Sequence, residues 1–238
     1  MKLKYKIIVI FIIVMNFFTS CSKNPLFPLI SGDWDYFPLK PGNTWTYMNK
    51  DYPSTNYIET CLAETTFLEK KAIPLEEKEI VNNTTIESVT NTYFFKDGKE
   101  LLIAIKDITN LFNSYLLMAE LPPVEGNKWS FSKKIEDKDI GLPFLVDLIL
   151  TVNGEVKEMN IEKKVLAGTF KNCAHINITM SSKVVNSTNL NDVIVETETF
   201  IDSYLAPNTG KIYEETTEKE NGIVQNITVK ELVSYSLK

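Results

Sequence analysis

Arginine is missing from this 238-residue chain, so every one of its 25 basic side chains is a lysine. Against 31 acidic residues they leave a formal charge of −6. Binding a phosphate backbone needs a basic stripe that releases counterions, so an acidic, Arg-free surface excludes nucleic acid as a partner. Histidine is nearly missing too, with His175 alone. Any Ser-His-Asp or Cys-His device would have to use it, and no Gly-x-Ser-x-Gly elbow lies nearby. Cys173 stands two residues away, but same-face neighbours on a strand are about 7 Å apart at Cα, and no acid is evident to orient the ring. One His, with Cys61 and Cys173 far apart, lacks the ligand spacing of a zinc site. The acidic run Glu136-Asp137-Lys138-Asp139 has no glycine at the turn position of a calcium loop. Gly-rich phosphate loops are wanting, and so are the companion motifs of an acylating Ser-x-x-Lys. The expectation is a protein without catalytic residues, cofactor or metal, hence not an enzyme.

Long hydrophobic runs are also lacking. Met1 to Lys6 carries three lysines, and Ile7 to Phe18 follows as twelve mostly apolar residues. Crossing the ~30 Å hydrocarbon core takes about 20, so this is the charged and apolar part of a signal peptide. Phe18-Thr19-Ser20-Cys21 resembles the lipobox cut by lipoprotein signal peptidase. That resemblance implies cleavage before Cys21 and lipidation of its sulfur, and several acyl chains together hold a protein stably on a lipid bilayer. Residues 1–20 are therefore read as signal peptide, 21–35 as a lipidated tether with two prolines and a glycine, and 36–238 as a single β-rich domain. Ser22 follows the lipidated residue. By resemblance it favours the outer membrane, facing periplasm or surface, or the cell membrane in a single-membrane bacterium. Removing Lys2, Lys4 and Lys6 leaves 22 Lys against 31 acids, a mature charge of −9.

What is present is strand signal. Asp97-Gly98, Asn153-Gly154 and Asn221-Gly222 are dipeptides that accept positive φ in two-residue hairpin turns, with Asn82-Asn83 and Asn208-Thr209-Gly210 as looser versions. Between them apolar and polar residues alternate. Ile176, Ile178 and Met180 oppose His175, Asn177 and Thr179; Val193, Val195 and Ile201 oppose Glu196, Glu198 and Asp202; Ile227, Val229, Val233 and Tyr235 share one parity. Ile108 to Ala119 is the best helical candidate, but Phe112, Tyr115 and the following Pro122-Pro123 leave it ambiguous. The pattern predicts an all-β domain, an antiparallel meander of about ten to twelve strands. Glu214 to Glu220 reads as an exposed edge or hairpin guarded by charge.

One short echo runs through the chain. Pro38-Leu39-Lys40-Pro41-Gly42-Asn43-Thr44-Trp45-Thr46-Tyr47 is matched by Leu121-Pro122-Pro123-Val124-Glu125-Gly126-Asn127-Lys128-Trp129-Ser130-Phe131, each a Pro-containing turn followed by Gly-Asn-x-Trp-x-aromatic. Gly-Asn permits a tight turn, and Trp and the aromatic two residues on share a strand face. They are either core anchors, the commoner use of large aromatics, or a paired binding platform. Cys61 and Cys173 are either two buried thiols or a disulfide across a loop of over a hundred residues. Such a bridge would contribute about 3–5 kcal/mol, and forms only if the Cα atoms come within about 7 Å.

Three segments then carry a family resemblance. Tyr36-Phe37-Pro38-Leu39-x-x-Gly42-Asn43-x-Trp45-x-Tyr47, Val165-x-Ala167-Gly168-Thr169-Phe170-x-Asn172-Cys173 and Phe200-x-x-x-Tyr204-x-Ala206-Pro207-x-x-Gly210-x-Ile212 are similar, in order, to segments of the TapB-like group of uncharacterised bacterial lipoproteins. The resemblance implies a curved antiparallel sheet or half-barrel akin to the carriers LolA and LolB, and brings no site residues with it. The expected function is a non-enzymatic interaction or structural lipoprotein of the envelope, with a carrier or sensor of a lipid or other hydrophobic ligand as the alternative. Leu142 to Leu150, nearly all apolar, separates the two. Lining an open concavity it favours the carrier, and closing a packed core it favours interaction.

Overall fold

The chain falls into two units, Met1–Asp33 and Trp34–Lys238, and the computed structural model describes residues 34–105, 115–139 and 142–238 of the second. The signal peptide, Cys21 and the tether up to Asp33 lie outside the described residues. Trp34 and Asp35, read as the end of the tether, belong to the folded unit.

Thirteen strands are described: β1 Thr44–Asn49, β2 Thr55–Cys61, β3 Thr65–Phe67, β4 Lys70–Val81, β5 Thr84–Asp97, β6 Glu100–Ile105, β7 Leu116–Glu120, β8 Lys128–Lys138, β9 Val146–Val165, β10 Gly168–Asn186, β11 Asn189–Ala206, β12 Gly210–Glu220 and β13 Ile223–Ser236. All ladders are antiparallel, and β3 pairs only with β4. Asn82 and Asn83 take φ of 49° and 64°, and Asn221 and Gly222 49° and 79°. These are the doubly left-handed turns whose twist suits a two-residue hairpin. Gly98, at 59°, turns β5 into β6.

Four readings need correction. Asn153-Gly154 is no turn, because Gly154 sits inside β9 opposite Trp129, and the indole takes the space where its side chain would be. Leu116–Glu120, the end of the helical candidate, is strand β7, while residues 106–114 lie outside the described residues. The shared parity of β13 breaks at a bulge. Thr46 faces Ser234 and Tyr47 faces Leu232, so Leu232 is buried while Val233 and Tyr235 are exposed. The Glu-rich stretch is the hairpin strand β12 rather than an edge, because it is paired on both sides.

The strands run β7-β6-β5-β4-β2-β1-β13-β12-β11-β10-β9-β8 across one sheet. This is a nearly closed antiparallel half-barrel, with β7 brought against β8. It consists of two six-strand meanders, β1-β2-β4-β5-β6-β7 and β8 through β13. The first strand of each meets the last strand of the other. The sequence echo marks this repeat. Gly42 N donates to Cys61 O (2.7 Å), Asn43 N to Lys40 O (3.0 Å) and Cys61 N to Asn43 O (2.9 Å). In the second meander Gly126 N donates to Val156 O (2.9 Å), Asn127 N to Val124 O (3.0 Å) and Val156 N to Asn127 O (2.9 Å). Both Trp45 and Trp129 are buried core anchors.

Alternation along β9 and β10 puts Val146, Leu148, Leu150, Val152, Val156, Ile176 and Ile178 into one core with Leu101, Ile103 and Leu116. A second cluster joins Trp45, Tyr47, Cys61, Val165, Cys173 and Leu232. The N-terminal segment closes one end. Tyr36 hydroxyl donates to Asn172 O (2.8 Å), Asn208 N donates to Asp35 O (2.7 Å), and Lys96 pairs with Asp35 (2.8 Å). In a meander successive turns alternate between ends. This closed end therefore also holds the β5–β6, β7–β8, β9–β10 and β11–β12 turns, and the opposite rim holds those of β1–β2, β4–β5, β8–β9, β10–β11 and β12–β13.

Candidate functional site

Beneath the N-terminal segment the half-barrel keeps a cavity of about 130 Å³. Phe37 and Leu39 roof it, Leu75, Phe94 and Met118 form one wall, and Ile176, Ile178, Ile201 and Leu205 the other. Its remaining side is ionic, with Glu59 from β2 and Lys211 and Glu214 from β12. Lys211 and Glu214 share the inner face although three residues apart. The β11–β12 register shifts between Tyr204 and Leu205, so that Leu205 faces Lys211 while Ser203 faces Glu214.

Lys211 Nζ lies 2.8 Å from Glu59 Oε1 and 3.1 Å from Glu214 Oε1, and 5.1 Å from the Tyr47 ring centroid. Burial alone would lower the pKa of the ammonium, and Glu214 and Glu59 overcome that and hold it well above the ordinary lysine value. Burial likewise pushes against the charge of Glu214, but Lys211 and then Lys230 keep its pKa below the usual carboxylate value. Tyr47 is raised well above ordinary, first by burial and then by Glu59. Next to the triad, Lys230 pairs with Glu77 at 2.7 Å. No pattern in the sequence singled out Glu59 or Lys211, which come from β2 and β12, strands far apart in the chain.

His175 projects from the opposite, convex face. Its Nε2 meets Asp202 Oδ1, and its ring stacks on Tyr204 at 4.4 Å. An orienting acid therefore does exist, supplied diagonally by β11, because Asn177 faces Asp202 and His175 faces Tyr204. Lys163, arriving on β9, stands 3.6 Å from the Tyr204 ring centroid and 4.0 Å from that of Tyr213. Ser203 points through the sheet to Glu214 instead. Cys173 is buried, with Sγ 3.5 Å from Phe170 O, and burial raises its pKa. Cys61 is buried too, and burial, then Glu59, pushes its thiol up to about 12. Both thiols are free and share one buried cluster. Among the described residues no group of three or more His, Cys, Asp or Glu side chains is gathered for a metal.

The apolar run 142–150 divides. Val146, Leu148 and Leu150 close the packed core, whereas Leu142, Phe144 and Leu145 are exposed on the rim. Eleven of the fifteen exposed large apolar side chains among the described residues sit on that rim. They are Tyr52, Ile86, Leu142, Phe144, Leu145, Leu190, Val193, Ile194, Ile223, Val224 and Ile227. Asp147, only 2% exposed, ties its hairpins together. It accepts from Asp137 N (3.0 Å) and Ser187 Oγ (2.7 Å), and pairs with Lys134 (2.8 Å).

No family model and no curated protein matches the chain. Two solved structures are similar. A Bacteroides fragilis protein described as exported and YmcC-like in fold shares 8% identity with TM-score 0.42 over 85% of this chain and 99% of its own. A Parabacteroides distasonis protein described as a lipoprotein shares 11% with TM-score 0.43 over the same fractions. Neither likeness is close enough to transfer a function.

Proposed function

We propose that this chain is an envelope lipoprotein, held on the bilayer through acylated Cys21, that works by binding a protein partner and not by catalysis. The apolar rim carries the reading. Exposed apolar side chains scattered singly are ordinary, but their concentration at one end marks an interaction site. Five turns contribute to that rim, and it lies opposite the end where Trp34 and Tyr36 pack. The carrier alternative meets a size limit. Pockets for drug-sized ligands measure about 300–1,000 Å³, so the described cavity of about 130 Å³ is too small for a diacyl lipid.

Photo-crosslinking in cells tests the proposal, with the crosslinking residue at Phe144, Ile194 or Val224 on the rim and at Val124 or Leu166 on the closed end. Discrete protein adducts are expected from the rim positions only. Equal adducts from both ends, or none from the rim, would overturn it. Palmitate incorporation that persists in Cys21→Ala would overturn the anchor.

A further inference from the structure

The closed-end cavity combines two properties that call for the same ligand. It has room for a single ring. An engineered apolar cavity of about 150 Å³ stays dry and takes up benzene, and this one, at about 130 Å³, is walled by Phe37, Leu39, Phe94, Met118 and Ile178. It is also electrically unbalanced. Glu59 and Glu214 share one ammonium, Lys211, while the adjacent Lys230 is matched by Glu77. Two cations against three carboxylates leave one negative charge. Glu59, which lines the cavity, is only 5% exposed, so little water reaches it to compensate.

We propose that this cavity is a binding site for a small primary ammonium compound with one aryl or compact alkyl group. The apolar body fills the void and removes its walls from water. The ammonium donates hydrogen bonds toward the Glu59 and Glu214 carboxylates and balances the triad. Tyr47, which lines the cavity with Trp45 and whose ring already faces the Lys211 ammonium at 5.1 Å, adds a ring face for a cation. An anion of the same shape meets two carboxylates, and a neutral one leaves the charge unpaired. The site stands apart from the rim, so either assignment can fail without the other.

The unit Trp34–Lys238 holds both cores, so the mature chain with Cys21→Ser is suitable for titration. Benzylamine, toluene and benzoate are the probes, followed by calorimetry and by the Met118 methyl resonance in the otherwise unaltered chain. Benzylamine is expected to bind at least about tenfold tighter than toluene, and benzoate weakest, as charge complementarity dictates. A shifted Met118 methyl places the ligand without any substitution. Ile178→Trp, which fills the space, is expected to abolish binding, and Glu59→Gln to bring benzylamine and toluene within about twofold. Equal binding of benzylamine and toluene by the native side chains would overturn the proposal. So would tighter binding of benzoate, or an unmoved Met118 methyl.

Discussion

Trp129 lies against its cross-strand partner Gly154 so closely that a Cβ on residue 154 would come 2.0 Å from Trp129 Cε2. The glycine is a seat for an indole, and the indole anchors the start of the second meander. Gly154→Ala forces the ring or the strand to move. The expected cost is about 1–3 kcal/mol, the usual range for overpacking a core. Urea denaturation of the variant measures it, and unchanged stability would mean the ring has another place to go.

The Lys211 triad makes a second prediction. Lys211→Met leaves Glu59 and Glu214 facing one another with no cation between them. Removing one partner of a buried ionic group typically destabilises by about 3–5 kcal/mol. The triple change Glu59→Gln, Lys211→Met and Glu214→Gln removes the charges together and should recover most of that loss. A triple variant no more stable than the single one would show that packing, not charge, is what Lys211 supplies.

Asp147 contributes to the acid limb. Hydrogen bonds from Lys134 first, then Ser187 and the Asp137 amide, lower its pKa from 3.8 to about 2. A carboxyl with a folded-state pKa below its unfolded one stabilises fully above the unfolded value and loses that contribution as pH falls through the folded one. Stability should therefore drop between roughly pH 4 and pH 2. Asp147→Asn should flatten that drop while lowering stability at neutral pH, as urea midpoints measured across the range will report.

The two described cysteines should be silent in the native state. Burial holds the Cys61 thiol near 12 and raises that of Cys173, and the thiolate is the reactive species. In the Cys21→Ser chain, iodoacetamide at pH 8 should add no mass to the folded protein and two carbamidomethyl groups in urea. A chain that takes up neither label in urea without reductant would instead contain a Cys61–Cys173 bridge.

Much of the fold was readable, and the failures have a common cause. Turns that need positive φ at consecutive residues announce themselves, as Asn82-Asn83 and Asn221-Gly222 do. Alternation through Ile176, Ile178 and Met180 correctly placed His175 on the other face. Gly154 misled because a glycine that ends a strand and one that admits a neighbouring ring look alike until the neighbour is known. The ionic triad was invisible because its members come from β2 and β12, and a bulge sets Lys211 and Glu214 on one face against the simple period of two. Asp202 escaped notice as the partner of His175 because the contact runs diagonally between strands.

The pairing of β1 with β13 joins segments from opposite ends of the described chain. A chain emerging N-terminus first, from a ribosome or through a membrane, therefore exposes β1 long before its partner arrives. Until then β2 is its sole neighbour, and the second core lacks Leu232. Contacts so distant in sequence are slow to form. The open flank of β1 is meanwhile a template for another strand. Helpers that shield unpaired strands would find their task here, in the interval before Leu232 and its neighbours close the seam.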